Sequence, residues 1–180
     1  MESPLPSAEC QEEENQTKRA QCALIQFTIR NQTMSTDFTL DERLAQDCHL
    51  LAELPLCELL LMNNALLPWF ILVPRVSVIE IHELPQDQQS GLLEEINLVS
   101  RFVQQTFAPD KLNTAAIGNI VRQLHVHVVA RRYDDICWPD VVWGVQQREA
   151  YDQTALNAIT RQLRAFLPAE TKHHPVASKP

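Results

Sequence analysis

Two histidines one residue apart, His125 and His127 in the run Gln123-Leu124-His125-Val126-His127-Val128-Val129, are the residues whose types and spacing best suit chemistry. In an extended strand alternate side chains share a face. Gln123, His125, His127 and Val129 then point one way, and Leu124, Val126 and Val128 form a core-facing set on the other. Strand rise puts the two imidazoles about 7 Å apart, with an amide beside them. A neutral imidazole is abundant at pH 7 and needs little activation to act as a nucleophile. Arg122, Arg131 and Arg132 bracket the pair, which suits either a phosphate site or a solvated basic face.

Three chemistries compete for this pair. Such histidines are often ordinary residues of a half-exposed sheet face. They also suit metal ligation, which needs a third ligand such as His82, Asp134 or Asp135. Barrel hydrolases that use a strand-end pair of this kind need about 250 residues, more than the 180 present. Phosphate chemistry through an imidazole nucleophile is the third.

Composition narrows the field. A net charge of −8 argues against broad nucleic-acid binding, which calls for a basic surface. No run reaches the roughly 18 apolar residues of a membrane span, and the acidic start, with Glu12, Glu13 and Glu14 in a row, does not read as a secretory signal. A cytoplasmic protein with no membrane and no nucleic-acid partner is expected. The five cysteines are widely spaced without a CxxC pair, which predicts free thiols. With only Gly91, Gly118 and Gly144, no glycine loop can cradle a phosphate, so side chains and element ends must hold any nucleotide. No cofactor and no metal is expected.

The elements that position the pair follow from periodicity. Residues 1–37 read as an acidic, flexible extension, within which Leu24–Ile29 has strand character; residues 38–168 read as one domain and 169–180 as a frayed tail. A capping box at Thr39-Leu40-Asp41-Glu42 predicts a short helix to about Asp47. Leu56–Met62 and Trp69–Val73 read as meander strands, with Pro74 ending the second and a further extended piece over Val76–Ile81. Leu92, Ile96, Val99, Val103 and Phe107 recur at helical spacing, predicting a helix from Asp87 to Phe107 between Pro85 and Pro109. Strands over Leu112–Ile117 and Leu124–Ala130, joined tightly at Gly118-Asn119, precede a last helix from about Gln147 to Leu167. His49 falls at a strand start, His82 in a loop, and His173 and His174 in the tail. The order predicts an α+β protein with an antiparallel sheet.

The stretch from Gly118 to Val129 resembles the signature of the histidine triad (HIT) family, three histidines alternating with apolar residues. The likeness extends through Leu60-Leu61-Met62-Asn63-Asn64, Trp69 to Pro74, the long helix, Trp138-Pro139 and Val142-Trp143-Gly144, covering roughly residues 38–145. It is strongest to the bacterial branch often labelled diadenosine-tetraphosphate-hydrolase-like, whose motif begins with Gln. The resemblance implies a HIT-like fold: a five-stranded antiparallel meander sheet, one long central helix and a C-terminal helix, usually in a homodimer whose sheets join. It also implies attack on an α-phosphate to give a nucleotidyl-histidine, resolved by water or another acceptor. His125 then falls on the nucleophile and His127 on the last histidine, which contacts the α-phosphate. Asn119 falls near positions that hold phosphate oxygens, and Asn63 where a polar side chain meets the ribose. A nucleotide-binding or protein-interaction module without turnover is the rival reading.

Two departures stand out. Gln123 replaces the first histidine, and an amide can bond a phosphate or orient a ring but cannot deliver a proton. Leaving groups that depart as stable anions, such as polyphosphate-linked nucleotides, are therefore expected to outperform amines. Pro68-Trp69 stands where many relatives have Gly-His, with Trp69 expected to pack on a base or in a core or dimer interface.

Overall fold

The structure, a computed structural model, describes residues 38–179. The extension before residue 38, with the expected strand Leu24–Ile29, lies outside the described residues. A short helix α1 (Glu42–Asp47) leads into β1 (Cys48–Glu53), β2 (Cys57–Met62) and β3 (Trp69–Pro74). A 3₁₀ turn at Ile81–Glu83 precedes α2 (Gln86–Phe107), followed by β4 (Lys111–Ala115), β5 (Val126–Arg131), α3 (Gln153–Phe166) and β6 (Lys172–His173).

The six strands form one sheet in the order β4-β5-β3-β2-β1-β6, every neighbouring pair antiparallel. The α+β class and the HIT-like fold are as expected, with two differences in the sheet. Only β1, β2 and β3 keep meander order. The 22 residues of α2 carry the chain about 33 Å at helical rise. The chain re-enters at the far edge as β4, then turns back as β5 beside β3. The sixth strand comes from the expected tail: β6 pairs with β1 at Ala52 and Glu53, and His174 Nε2 lies 3.0 Å from Glu53 Oε1.

Alternation along the strands builds two apolar layers. Leu59 and Leu61 of β2, Phe70 and Leu72 of β3, and Val126, Val128 and Ala130 of β5 face α2 and α3, meeting Leu92, Val99, Phe102, Val103, Leu156 and Leu163. The opposite set, Leu60, Trp69, Ile71, Val73 and Val129, packs with Leu44, Leu67 and Val142. The sheet is therefore buried on both faces at its centre, which is why β3 reads as an unbroken apolar run.

Several boundaries shift for local reasons. The N-cap of α1 is Asp41, whose carboxylate accepts from Arg43 N at 2.9 Å, rather than Thr39 of the capping box. Thr39 is held instead through its carbonyl by the Gln123 amide. The last helix starts at Gln153, because Asp152 caps it by accepting from Ala155 N at 2.7 Å. Val76–Ile81 forms no strand and leads into the 3₁₀ turn. The expected tight turn at Gly118-Asn119 is a loop over 116–125, and β5 begins only at Val126.

Candidate active site

The loop before β5 and the start of that strand bring the two histidines together. His125 lies one residue before the ladder begins, and its Nδ1 sits 2.6 Å from the carbonyl oxygen of Gln123. A carbonyl only accepts, so Nδ1 carries the proton and the Nε2 lone pair is left available. The His125 and His127 rings meet edge to face with centroids 4.8 Å apart, closer than strand rise alone provides. Both residues are buried, at 5% exposure each, rather than lying on a half-exposed face.

His127 is bounded by aromatics. Trp69 donates its indole N–H to His127 Nδ1 at 2.9 Å, and Trp143 packs edge-on at 5.6 Å. The register explains the first contact: Ile71 pairs with His127, and Trp69 lies two residues along β3 on the same face. Burial, with the neighbouring His125 as a smaller cause, pushes the His127 imidazole down to about 3. The ring is neutral at physiological pH, with its proton on Nε2.

The remaining sequence candidates divide. Gln123 ties both ends of its amide to the main chain before α1. Oε1 accepts from Asp41 N and Nε2 donates to the Thr39 carbonyl, both at 2.9 Å. Asn63 is similarly engaged, its Oδ1 accepting from His49 Nε2 at 3.1 Å and from Tyr151 N at 3.0 Å. It ties the end of β2 to β1 and to the segment before α3.

The three arginines do not act as one cluster. Arg131, 1% exposed, is bonded to Asp135 through Nε at 2.6 Å and to Asn113 Oδ1 at 2.8 Å, and it also donates to the Asp140 carbonyl. It organises the loop after β5. Burial acts to raise the Asp135 carboxyl, but the Arg131 hydrogen bonds, with those of Cys137 N and Arg132 N, outweigh it and hold it at about 2. Arg132 pairs with Asp134 at the surface. Only Arg122 reaches the cavity beside His125.

That cavity has a volume of about 350 Å³, within the range of small-molecule sites. Glu80, Gly118, Asn119, Arg122, Gln123 and His125 are among its lining residues. Asn119 thus shares the cavity with His125, whereas Asn63 and His127 do not line it, His127 standing behind the first ring. Glu80 is a lining residue with no signal in the sequence, since the chain between β3 and α2 folds over the site only in three dimensions. The contact of Trp69 with His127 was equally hidden. The Pro68-Trp69 departure marked the position, but its partner follows from strand register. Among the described residues no three His, Cys, Asp or Glu side chains converge as metal ligands.

An antiparallel sheet crossed by one long helix, with paired imidazoles of which the first lines a cavity of about 350 Å³, defines a histidine-triad architecture. The HIT domain family model matches residues 43–134, and the chain belongs to the HIT family. A histidine triad protein from Bradyrhizobium japonicum is 43% identical with a TM-score of 0.69, the match covering 71% of this chain and 96% of that one. A HIT protein from Sinorhizobium meliloti is 41% identical with a TM-score of 0.71, covering 75% and 100%. One from Marinobacter aquaeolei is 45% identical with a TM-score of 0.70, covering 72% and 96%. No curated protein sequence matches the chain. HIT proteins as a family are generally nucleotide hydrolases or transferases.

Proposed function

We propose that this protein is a HIT-type hydrolase or nucleotidyl transferase of the bacterial diadenosine-tetraphosphate-hydrolase-like branch. It cleaves at the α-phosphate of dinucleoside polyphosphates or related nucleotide conjugates. The observation that carries this reading is the bond from His125 Nδ1–H to the Gln123 carbonyl, which leaves Nε2 as the nucleophilic nitrogen of a residue lining the cavity. Nε2 forms a bond to the α-phosphorus as the bond to the leaving oxygen breaks, and the leaving group takes the electron pair. Water or another acceptor then attacks the nucleotidyl-histidine, the N–P electron pair returns to Nε2, and the acceptor's proton passes to solvent. Asn119 and Arg122, which line the cavity, hold phosphate oxygens, and His127, packed behind the His125 ring, presents its Nε2–H to the α-phosphate once substrate is bound. Gln123 acts by orienting His125 through its carbonyl, and Asn63 meets the ribose through its amide hydrogens.

Two copies join in this reading along the outer edge of β4, the end strand of the sheet next to the site. A cytoplasmic setting suits the free Cys48, Cys57 and Cys137. Among the described residues no helix is long and apolar enough to cross a membrane.

The rival, a binding module without turnover, draws on one observation: the Gln123 amide is tied to residues 39 and 41, so the first triad position supplies no acid. Incubation with an α-³²P-labelled dinucleoside polyphosphate separates the two. Acid-labile label on histidine is expected, with loss of label and at least a thousand-fold loss of turnover (on the order of 10³,) in His125→Ala. Activity is expected to survive a chelator. Binding without label, and no effect of His125→Ala, would establish the rival.

A further inference from the structure

The bond between Trp69 and His127 has a chemical consequence beyond packing. An indole N–H donates and has no acceptor, and it does not exchange roles as an imidazole or hydroxyl does. Its 2.9 Å bond to Nδ1 requires a lone pair there, so the single proton of His127 must sit on Nε2. A second proton on Nδ1 would set two N–H groups face to face where Trp69 is 8% and His127 is 5% exposed. Trp143, 5.7 Å from Trp69 and 5.6 Å from His127, closes the same aromatic wall and brings no acceptor to relieve that clash. Among the described residues His125 is the titratable neighbour acting on His127, and it too disfavours a charged His127 ring. Arg131, four residues along β5 on the same face, is engaged by Asp135.

We propose that Trp69 is the positioning residue that fixes His127 as a neutral Nε2–H donor, and that it thereby restricts the site to leaving groups that depart without a proton. This rests on the hydrolase reading above. In the first step the N–P bond forms at His125, the P–O bond breaks, and a polyphosphate leaves as a stable anion with the electron pair. No proton is required, and the His127 Nε2–H stabilises phosphate oxygens without being transferred. A nucleoside phosphoramidate is different. Its P–N bond breaks well only if the amine nitrogen is protonated as it leaves. His127 cannot supply that proton, because it cannot first become an imidazolium while Trp69 occupies Nδ1. The Gln123 amide cannot supply it either. With neither triad position able to protonate an amine, the substrate class favoured is phosphoanhydrides of nucleotides, with phosphoramidates discriminated against by a residue on β3 that touches neither.

Two readouts test this on the full chain. Two-bond ¹H–¹⁵N spectra of ¹⁵N-histidine-labelled protein should show His127 with bare Nδ1 and protonated Nε2, unchanged from pH 8 to pH 5. Trp69→Phe keeps an aromatic ring and removes the donor. It should let His127 populate the Nδ1–H form and titrate at a higher pH than in the wild type. The kcat/KM preference for a dinucleoside polyphosphate over a nucleoside phosphoramidate should then fall by about 10-fold or more, against the 10²–10⁴-fold typical of general acids. An Nδ1–H tautomer or an imidazolium at pH 6 in the wild type overturns the proposal, and that spectrum decides even if Trp69→Phe does not fold. An unchanged preference in a folded variant whose His127 has altered overturns the specificity assignment. Absence of turnover on both substrates, with the expected wild-type spectrum, overturns the hydrolase reading and leaves the positioning role standing.

Discussion

Replacing Asp135 with Asn tests how the loop that carries Trp143 is held beside the histidines. The substitution keeps the side-chain shape and removes one charge of a pair whose side chains are only 2% and 3% exposed. Asp135 Oδ2 accepts from Arg131 Nε at 2.6 Å and Arg132 N at 3.2 Å, and Oδ1 accepts from Arg131 Nη2 at 3.0 Å and Cys137 N at 3.1 Å. An Asn amide must turn its NH₂ toward one of those donor pairs. The fall of the carboxyl from 3.8 to about 2 corresponds to about 2 kcal/mol at 1.36 kcal/mol per unit. Stranding a buried partner charge costs about 3–5 kcal/mol. Arg131 keeps Asn113 and the Asp140 carbonyl, which favours the lower end, so a loss of about 3 kcal/mol at pH 7 is expected. For a domain of this size that lowers Tm by about 6–12 °C. The pH dependence carries the sign. A depressed carboxylate stabilises the fold above its unfolded pKa and loses that contribution as pH falls through the folded value. The gap between wild type and Asp135→Asn should therefore be full above about pH 4 and shrink toward about pH 2. Urea melts of both proteins from pH 7 to pH 2.5 measure it. A loss below about 1 kcal/mol, or a gap that does not change with pH, would refute the ion-pair account.

Gln123→Ala removes both bonds to residues 39 and 41 while leaving the carbonyl that orients His125. Hydrogen exchange should speed up at residues 39–45 and stability fall by about 1–2 kcal/mol, with the His125 tautomer unchanged by NMR. Glu95 gives a pH effect of opposite sign. It sits on α2 and accepts from Leu56 N at 2.6 Å and Cys57 N at 3.0 Å, while burial pushes its carboxyl up to about 7. A raised acid contributes stability that is full below its unfolded pKa of about 4.5 and lost as pH rises through about 7. Wild type should therefore lead Glu95→Gln by most near pH 4.5 and by least above pH 7, on the order of 3 kcal/mol across the window, as measured by denaturant melts.

Much of the fold could be read from residue pattern because the relevant forces are local. Leu92, Val99 and Val103 recur with the helical period, so α2 was fixed to within one residue. Continuous apolar character in Trp69–Val73 marks a meander strand, which the structure buries on both faces. Alternation likewise assigned Leu124, Val126 and Val128 to the core, as found. The sheet order was not legible. Which strand lies beside β3 depends on where α2 returns the chain, and no pattern within β4 or β5 records that. The sequence reading carries the two strands over Leu112–Ile117 and Leu124–Ala130 into what the structure shows as a loop over 116–125. Its bonds run instead from Gln123 to residues 39 and 41, more than 80 residues away.

The paired histidines show the same division. Sequence by itself determined that two imidazoles share a face, that the protein has a HIT-type signature, and that its first triad position lacks a proton donor. These depend on residue identity and a two-residue period. Only the tertiary structure decided what each ring is. The Gln123 carbonyl leaves Nε2 of His125 bare, and the Trp69 indole leaves Nε2 of His127 protonated. Tautomers are set by partners, and the partner of His127 comes from a strand 58 residues earlier in the chain.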